Sequence, residues 1–445
     1  MGGSTGDTSR VQSAISAAFV AEPITREVYV TLKKKFYRLL KFLYGLKDAP
    51  RGFNVGMAQH LSLGGYKQSV YDPCLFFQWI DENNYIYILV HVDDFYTAAT
   101  NVELINQFRV HLLKKYDITE KMERDYLGME ITKLSDGSKT FTKPKQIQKI
   151  CDKWLPLQYD RLGRGPRTPM AVDYDTKRLT IDDRVDVTEY RSCLGELLHL
   201  VDVRPDISDA VSRAAQYTEE ANSIDMRALI KIVKYLWHTK DLGLRLRAME
   251  GDLMPRQVKL RAYSDAAVGI MKNGRSKIAY GFDLVGVNDE QQTTPQKENE
   301  GGNTGLFYSK GVICPTVQLS STEAEHTGVV ECVKTIVMFR GVLSELHRDQ
   351  LYPTEVYNDN KSNILLGNEY SGNFSRIRYF IPKVHWLLAK VKEGVAKLEY
   401  LNTRCLPPDM ETKTLSGSDF EKKRMIRLGL DKCSLSTPIE FNEAI

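Results

Sequence analysis

No run in the chain is apolar for long enough to span a bilayer, and Ala14–Ala21, a short apolar patch after Arg10, is too weak for a signal peptide. Cysteine is sparse. Seven in 445 residues, an odd number with no C-x-x-C pair, argue against a disulfide framework and for reduced thiols in an intracellular protein. Charge of one sign is also lacking. A net +4 permits a polyanionic partner without demanding one, so any basic surface has to be local. What is present, 42% hydrophobic and 27% charged residues, is the composition of a folded chain, and the length suggests about two or three domains.

The most informative stretch is Tyr85–Thr97, YIYILVHVDDFYT. Tyr85–Val92 is an apolar, β-branched and aromatic run of strand length that stops at Asp93-Asp94, before a second short strand over Phe95–Thr97. Adjacent carboxylates at the tip of a buried hairpin repel each other and lose hydration, so a cation such as Mg²⁺ would explain their placement. A plain acidic turn is the alternative. Upstream, residues 1–13 read as disordered, and a strand over Glu27–Leu32 precedes a basic run, Lys33, Lys34, Lys35, Arg38 and Lys41. Phe36, Tyr37, Phe42 and Tyr44 are interleaved with it. Cations for phosphates beside aromatic faces for bases form a nucleic-acid footprint; a solvated helical face is the other reading.

LYGLKDAPRGFN (43–54) follows, then YDPCLFF (71–77). With the VDD hairpin, these segments resemble the reverse transcriptase of copia-type LTR retrotransposons, whose pattern is L-Y-G-L-K-Q-A-P-R, Y-D-x-C-L-F and Y-V-D-D. Asp48 stands for the usual Gln, Gly52-Phe53 for Ala-Trp and His91 for Tyr. The resemblance implies that Asp93 and Asp94 are metal ligands. It also implies that the 43–54 segment, with Tyr44, Lys47 and Arg51, lies beside template and incoming nucleotide, next to the basic run of Lys33, Lys34, Lys35 and Lys41 read above as a nucleic-acid footprint. YLGMEI (126–131), FTKPKQIQKICDKW (141–154) and YRSCLGELLHLVDVRPDISDAVSRAAQY (190–217) continue it in order. In the last of these, Arg204-Pro205-Asp206 reads as a helix-start signal. Leu229, Ile230, Val233, Leu236 and Trp237 form one helical stripe, which is packing, while Lys231, Lys234 and Lys240 make a basic face.

A second chemistry begins after Gly251. Lys259–Ser264 reads as a strand ending at Asp265, Ala279–Val285 as the next, and 287–304 as a flexible polar insertion. LSSTEAEHTGVVECV resembles the family's S-S-T-E-A-E-Y, with His326 for Tyr. If Ser320 caps that helix, Glu323 completes a capping box, and Glu325 shares the sheet-facing side with Val329, Cys332, Val333 and Ile336. Capping by Thr322 would instead make Glu325 the structural residue. A strand over Val356–Asp359, a helix over Trp386–Val395, a strand over Ala396–Leu401 and a helix opening at Asp409 follow. A basic helix over Phe420–Leu430 and a tail, 431–445, end the chain. Asp265, Glu325, Asp359 and Asp409 then resemble, in order and element type, the ribonuclease H fold. The resemblance implies four carboxylates on two Mg²⁺ ions that hydrolyse a phosphodiester.

The implied fold is α/β (α+β): a palm over 14–170, a helical connection over 171–250, and a ribonuclease H-like mixed sheet with flanking helices over 251–430. Two departures bear on activity. Two metals about 3.5–4 Å apart need a carboxylate beyond one turn, and laying E-V-Y-V (27–30) on the family's pattern puts Ala14 at its aspartate. The family's long basic fingers segment has no counterpart in the residues before Ala14, and its T-K-H-I-D-I reads IRYFIP at 377–382. An N-terminally truncated polyprotein region is therefore expected, with polymerase activity absent or very weak and Mg²⁺-dependent cleavage of RNA in RNA–DNA hybrid retained. The alternatives are a non-catalytic nucleic-acid-binding remnant or domesticated module, and a structural subunit lending its palm to a partner. Expected partners are RNA–DNA hybrid or other nucleic acid, with integrase or another polyprotein product, in cytoplasmic virus-like particles or the nucleus.

Overall fold

The computed structural model describes residues 9–16, 18–121, 125–180, 183–246, 258–271, 274–286, 305–369 and 378–430. The 287–304 insertion, the 431–445 tail and the first eight residues of the expected disordered start fall outside them, while Ser9–Ser13 of that start are ordered, as a strand held by pairing with distant segments. The chain forms two compact units, Met1–Ile131 and Thr132–Ile445. Among the described residues, no helix is long and apolar enough to cross a membrane.

In the first unit, β1 (Ser9–Ile15) and α1 (Ala18–Ala21) precede a hairpin of β2 (Tyr29–Leu32) and β3 (Lys35–Arg38). Then come α2 (Ala49–Leu63), β4 (Lys67–Gln68), β5 (Leu75–Trp79), β6 (Tyr85–His91), β7 (Asp94–Ala99), α3 (Val102–Leu113) and β8 (Ile118–Lys121). Antiparallel pairing orders six strands β4-β5-β6-β7-β1-β8. The run expected to be continuously apolar alternates instead. Ile86, Ile88 and Val90 are buried against Phe53, Met57 and Leu61 of α2 and Leu104, Ile105 and Phe108 of α3, while Leu89 and His91 are exposed. One face of this sheet packs on the two helices, and the other is only partly covered, with Gln12, Ala14, Leu75 and Phe77 buried on it while Leu89 and His91 are exposed. The Lys33–Tyr44 run is not a helical face: Lys33 and Lys34 turn the β2–β3 hairpin at φ of +50° and +63°. A short pair, β9 (Asp125–Tyr126) and β10 (Met129–Lys133), follows.

The second unit opens with β11 (Lys139–Thr142) and a helical layer. Its members are α4 (Pro144–Trp154), α5 (Tyr174–Arg178), α6 (Val187–Leu198), α7 (Ser208–Ala215) and α8 (Ser223–His238), before β12 (Leu244–Leu246), which pairs with β11. α8 starts from a capping box, Asn222 with Asp225. Leu229, Val233 and Leu236 bury its stripe against Ile147, Cys151, Leu194 and Leu197. Arg204-Pro205-Asp206 does open a helix, a 3₁₀ turn over Pro205–Ile207 that leads into α7, and Arg204 has a second role in the core. It is fully buried, paired with Asp206 at 2.7 Å, and donates to Thr239 O at 2.8 Å, while Tyr235 Oη donates to the same Asp206 carboxylate at 2.5 Å.

Five strands follow: β13 (Val258–Ala267), β14 (Lys277–Gly286), β15 (Tyr308–Ile313), β16 (Thr354–Asn358) and β17 (Ala396–Tyr400). They order β15-β14-β13-β16-β17, antiparallel on the β14 side and parallel on the β16 side. α9 (Ser321–Glu345) packs Val329, Val333 and Ile336 onto Leu260, Phe282 and Val356 of the sheet. α10 (Lys361–Asn368) and α11 (Ile381–Lys392) connect β16 to β17, and α12 (Asp409–Thr412) and α13 (Gly417–Arg427) close the unit. Three expected boundaries shift. Asp265 lies inside β13 rather than at its end, because Ala266 and Ala267 still pair with Ile278 and Lys277. The helix expected over Trp386–Val395 starts at Ile381, with Pro382 in its first turn, where a proline's missing N–H costs nothing. Asp409 opens a single turn, separate from the last helix.

Candidate metal centre

Asp265 comes from the central strand of the mixed sheet, Glu325 from the second turn of α9, and Asp359 from the residue after β16, the parallel neighbour of β13. The N-cap decides which glutamate is available. Ser320 Oγ accepts from Glu323 N at 3.1 Å, and the Glu323 carboxylate accepts from Leu319 N at 2.9 Å, so Glu323 does the capping and Glu325 turns to the sheet. One carboxylate oxygen from each of Asp265, Glu325 and Asp359 lies within 4.8 Å of the others. Asn358 holds the group together: its Nδ2 donates to Ser264 O at 2.9 Å and to Glu325 Oε2 at 3.1 Å. The Thr403 hydroxyl donates to Asp359 at 2.6 Å, and the Thr412 hydroxyl to Asp265 Oδ2.

Three carboxylates this close are costly. At about 4 Å and an effective dielectric of about 20, each ionised pair repels by about 4 kcal/mol. Burial, reinforced by the charges of Asp409 and Asp359, pushes Asp265 up to about 6 against the pull of Lys413 and Thr412. Burial and then Asp265 push Glu325 up to about 8. Asp265 Oδ1 is fully buried, and no described residue gives it a hydrogen bond. An all-oxygen donor set with one orphaned, buried carboxylate oxygen fits a hard divalent cation, Mg²⁺ among them.

The other expected ligands lie elsewhere. Asp409 is buried, but its oxygens are taken by Lys413 at 2.5 Å and by Lys423, and it is not in the three-acid group. Asp93 and Asp94 sit half-buried in the first unit, where Val92 and Asp93 form a two-residue loop and Val92 has a φ of +55°. That conformation is unusual for a β-branched side chain and costs about 1–3 kcal/mol. Lys33, Lys34, Lys35, Lys41, Tyr44, Lys47 and Arg51 are all exposed, as are Phe36 and Tyr37 on the hairpin. Sequence reasoning did not single out Asn358, Thr403, Thr412, Lys413 and Lys423. The first adjoins Asp359, and Thr412-Lys413 stand three and four residues after Asp409, one turn on, which was a readable signal.

A five-stranded mixed sheet overlaid by a long helix, with acids on β13, α9 and the end of β16, is a ribonuclease H-like sheet-plus-helix architecture. The antiparallel first sheet with its aspartate hairpin is of the reverse-transcriptase palm type. Residues 10–155 match the family model described as reverse transcriptase (RNA-dependent DNA polymerase). The chain is 28% identical over 429 residues to the retrovirus-related Pol polyprotein from transposon RE2 of Arabidopsis thaliana, covering 92% of this chain and 27% of that protein. It is 26% identical over 432 residues to the corresponding polyprotein from transposon TNT 1-94 of Nicotiana tabacum, covering 92% and 30%. Among solved structures, a foamy viral protease-reverse transcriptase in complex with RNA/DNA hybrid aligns over 92% of this chain and 45% of that one, at 16% identity and a TM-score of 0.46. Over 92% of its length the chain is thus similar to retrotransposon Pol polyproteins, and it resembles a reverse transcriptase/ribonuclease H-like fragment of one. It spans about three-tenths or less of the length of these curated Pol relatives.

Proposed function

We propose that the second unit is a divalent-metal-dependent hydrolase that cuts the RNA strand of an RNA–DNA hybrid, and that the first unit has lost RNA-directed DNA synthesis. The observation carrying the first half is the convergence of Asp265, Glu325 and Asp359 around the orphaned Asp265 Oδ1. The substrate follows from the company the site keeps: copying RNA into DNA, the activity named for the family matched by residues 10–155, yields RNA–DNA hybrid. A bound divalent ion would lower the pKa of a water and stabilise the leaving oxygen, and a second, on Asp409, would complete a two-ion arrangement. The chain's own residues do the positioning. Asn358 orients Glu325, Thr403 orients Asp359, and Thr412 fixes the Asp265 carboxylate so that Oδ1 stays available. The second half rests on Ala14, which supplies no carboxylate beside Asp93 and Asp94.

Incubation with labelled hybrid and Mg²⁺ tests this. Cleavage of the RNA strand is expected, and Asp265→Asn or Glu325→Gln should reduce it by at least about a thousandfold, whereas equal turnover in variant and parent rejects the assignment. A non-catalytic nucleic-acid-binding role has its own support in the β2–β3 hairpin, where Phe36 and Tyr37 are exposed beside Lys33, Lys34 and Lys35. Salt-dependent binding without Mg²⁺-dependent turnover would favour it.

A further inference from the structure

Two lysines converge on Asp409. Lys413 Nζ donates to one of its oxygens at 2.5 Å and Lys423 Nζ to the other. The two lysines differ. Lys423 is buried and also donates to Thr403 O at 2.8 Å, on the residue whose hydroxyl holds Asp359. Lys413 lies 3.7 Å from Asp265 Oδ2, and its side chain keeps 43% of its exposure, so it alone can swing away without leaving a buried ammonium unpaired. Charge balance points the same way. Four acids against two lysines leave a deficit that one divalent ion cancels. With both lysines in place, a second ion would leave an excess of two positive charges, which loss of the Lys413 charge halves and an arriving anionic phosphate cancels.

We propose that Lys413 and Lys423 gate the centre. The nucleic-acid-free protein takes one divalent ion on Asp265, Glu325 and Asp359, and Asp409 is released to a second only when phosphate draws Lys413 away. This rests on the metal reading above but concerns occupancy rather than turnover. Lys413 is then a positioning residue whose ammonium occupies the second ion's place at rest.

The test is Mn²⁺ titration of the full chain without nucleic acid, read by electron paramagnetic resonance of the free ion. The Asp265→Asn protein sets the baseline for ions bound elsewhere. One ion per chain above that baseline is expected. Lys413→Gln should add a second, and Asp409→Asn in that background should remove it again. Lys413→Arg, which keeps the charge, should stay at one, which separates gating from a folding defect. Two ions on the unaltered protein, one on Lys413→Gln, or two on Lys413→Arg each overturn the gate. Absence of any ion above baseline on the unaltered protein overturns the metal reading itself, and the gate with it.

Discussion

Ala14 and Asp94 are direct cross-strand partners, and beside them Ile15 N donates to Asp93 O at 2.8 Å. Directly opposed residues of an antiparallel pair put their side chains on one face. Phe95, Thr97 and Ala99 of β7 are buried, Phe95 and Ala99 among the residues of α2 and α3, so Asp94 and Ala14 share the opposite side of the sheet, where Ala14 is buried and Asp94 half-buried. A methyl group thus stands next to the aspartate hairpin, where a carboxylate could complete a cation site.

Ala14→Asp should therefore build an electrostatic conflict that a cation relieves. Like charges directly opposite cost about 0.2–1 kcal/mol, so the variant is expected to melt below the parent in EDTA and to regain the difference in millimolar Mg²⁺. The parent's first-unit transition should hardly respond to Mg²⁺. Melting curves with and without the ion check this, and a variant with no Mg²⁺ response would show that position 14 does not face the aspartates.

What could be read from the sequence divides along the range of the interactions involved. The Asp93-Asp94 hairpin was legible because a β-rich run, a two-residue turn and a second strand are contiguous. So was the sheet-facing orientation of Glu325, since helical spacing sorts it from the capping Glu323 within one turn. The burial of Arg204 was not. Its partners Thr239 and Tyr235 lie more than thirty residues away, and locally Arg-Pro-Asp looks like an ordinary helix start. Asp265 was placed at the end of its strand rather than inside it, because the pairing that extends β13 comes from β14. Lys423 meets Asp409 only because α13 folds back on α12.

Glu325 makes the metal-free protein sensitive to alkali. Burial, then Asp265, raises its carboxyl from an ordinary 4.5 to about 8, so the folded chain prefers it protonated. The stability this contributes is full below the unfolded pKa and is lost as pH rises through about 8, with Asp265 adding the same sign near 6. In EDTA, Glu325→Gln should flatten the fall in melting temperature between pH 6 and about 8.5, and at the upper end should exceed the parent by at least about 3 °C. Mg²⁺ should flatten the parent's curve as well. Parallel curves for the two proteins would mean that Glu325 ionises freely in the fold.

Arg204 and Asp206 predict strong non-additivity. Both side chains are fully buried, and the arginine is held up by the aspartate's charge against the cost of its own burial. Arg204→Met strands a carboxylate in the core and should cost about 3–5 kcal/mol, as should Asp206→Leu. The double variant removes both charges and is expected to cost much less than the sum. Urea unfolding followed by tryptophan fluorescence, which reports Trp154 and Trp237 of this unit, measures the cycle. Additive losses would show that the pair is not coupled.

Asn358 ties the carboxylate cluster to the sheet, and its removal should separate assembly from chemistry. The amide donates both to the Ser264 carbonyl on β13 and to Glu325 on α9, fixing the distance between strand and helix where the acids meet. Asn358→Ala leaves a buried carbonyl without its donor, at a cost of about 1–3 kcal/mol, and lets Glu325 drift, which should weaken divalent binding about 10–100-fold. The acids themselves remain, so hybrid cleavage should recover as Mg²⁺ is raised. Asn358→Asp is nearly isosteric but replaces a donor with a fourth negative charge, so recovery should be far poorer. Cleavage rates across a Mg²⁺ series for the two variants decide the matter. If Asn358→Ala stays inactive at saturating Mg²⁺, the amide is needed in the reaction and not only for holding Glu325 in place.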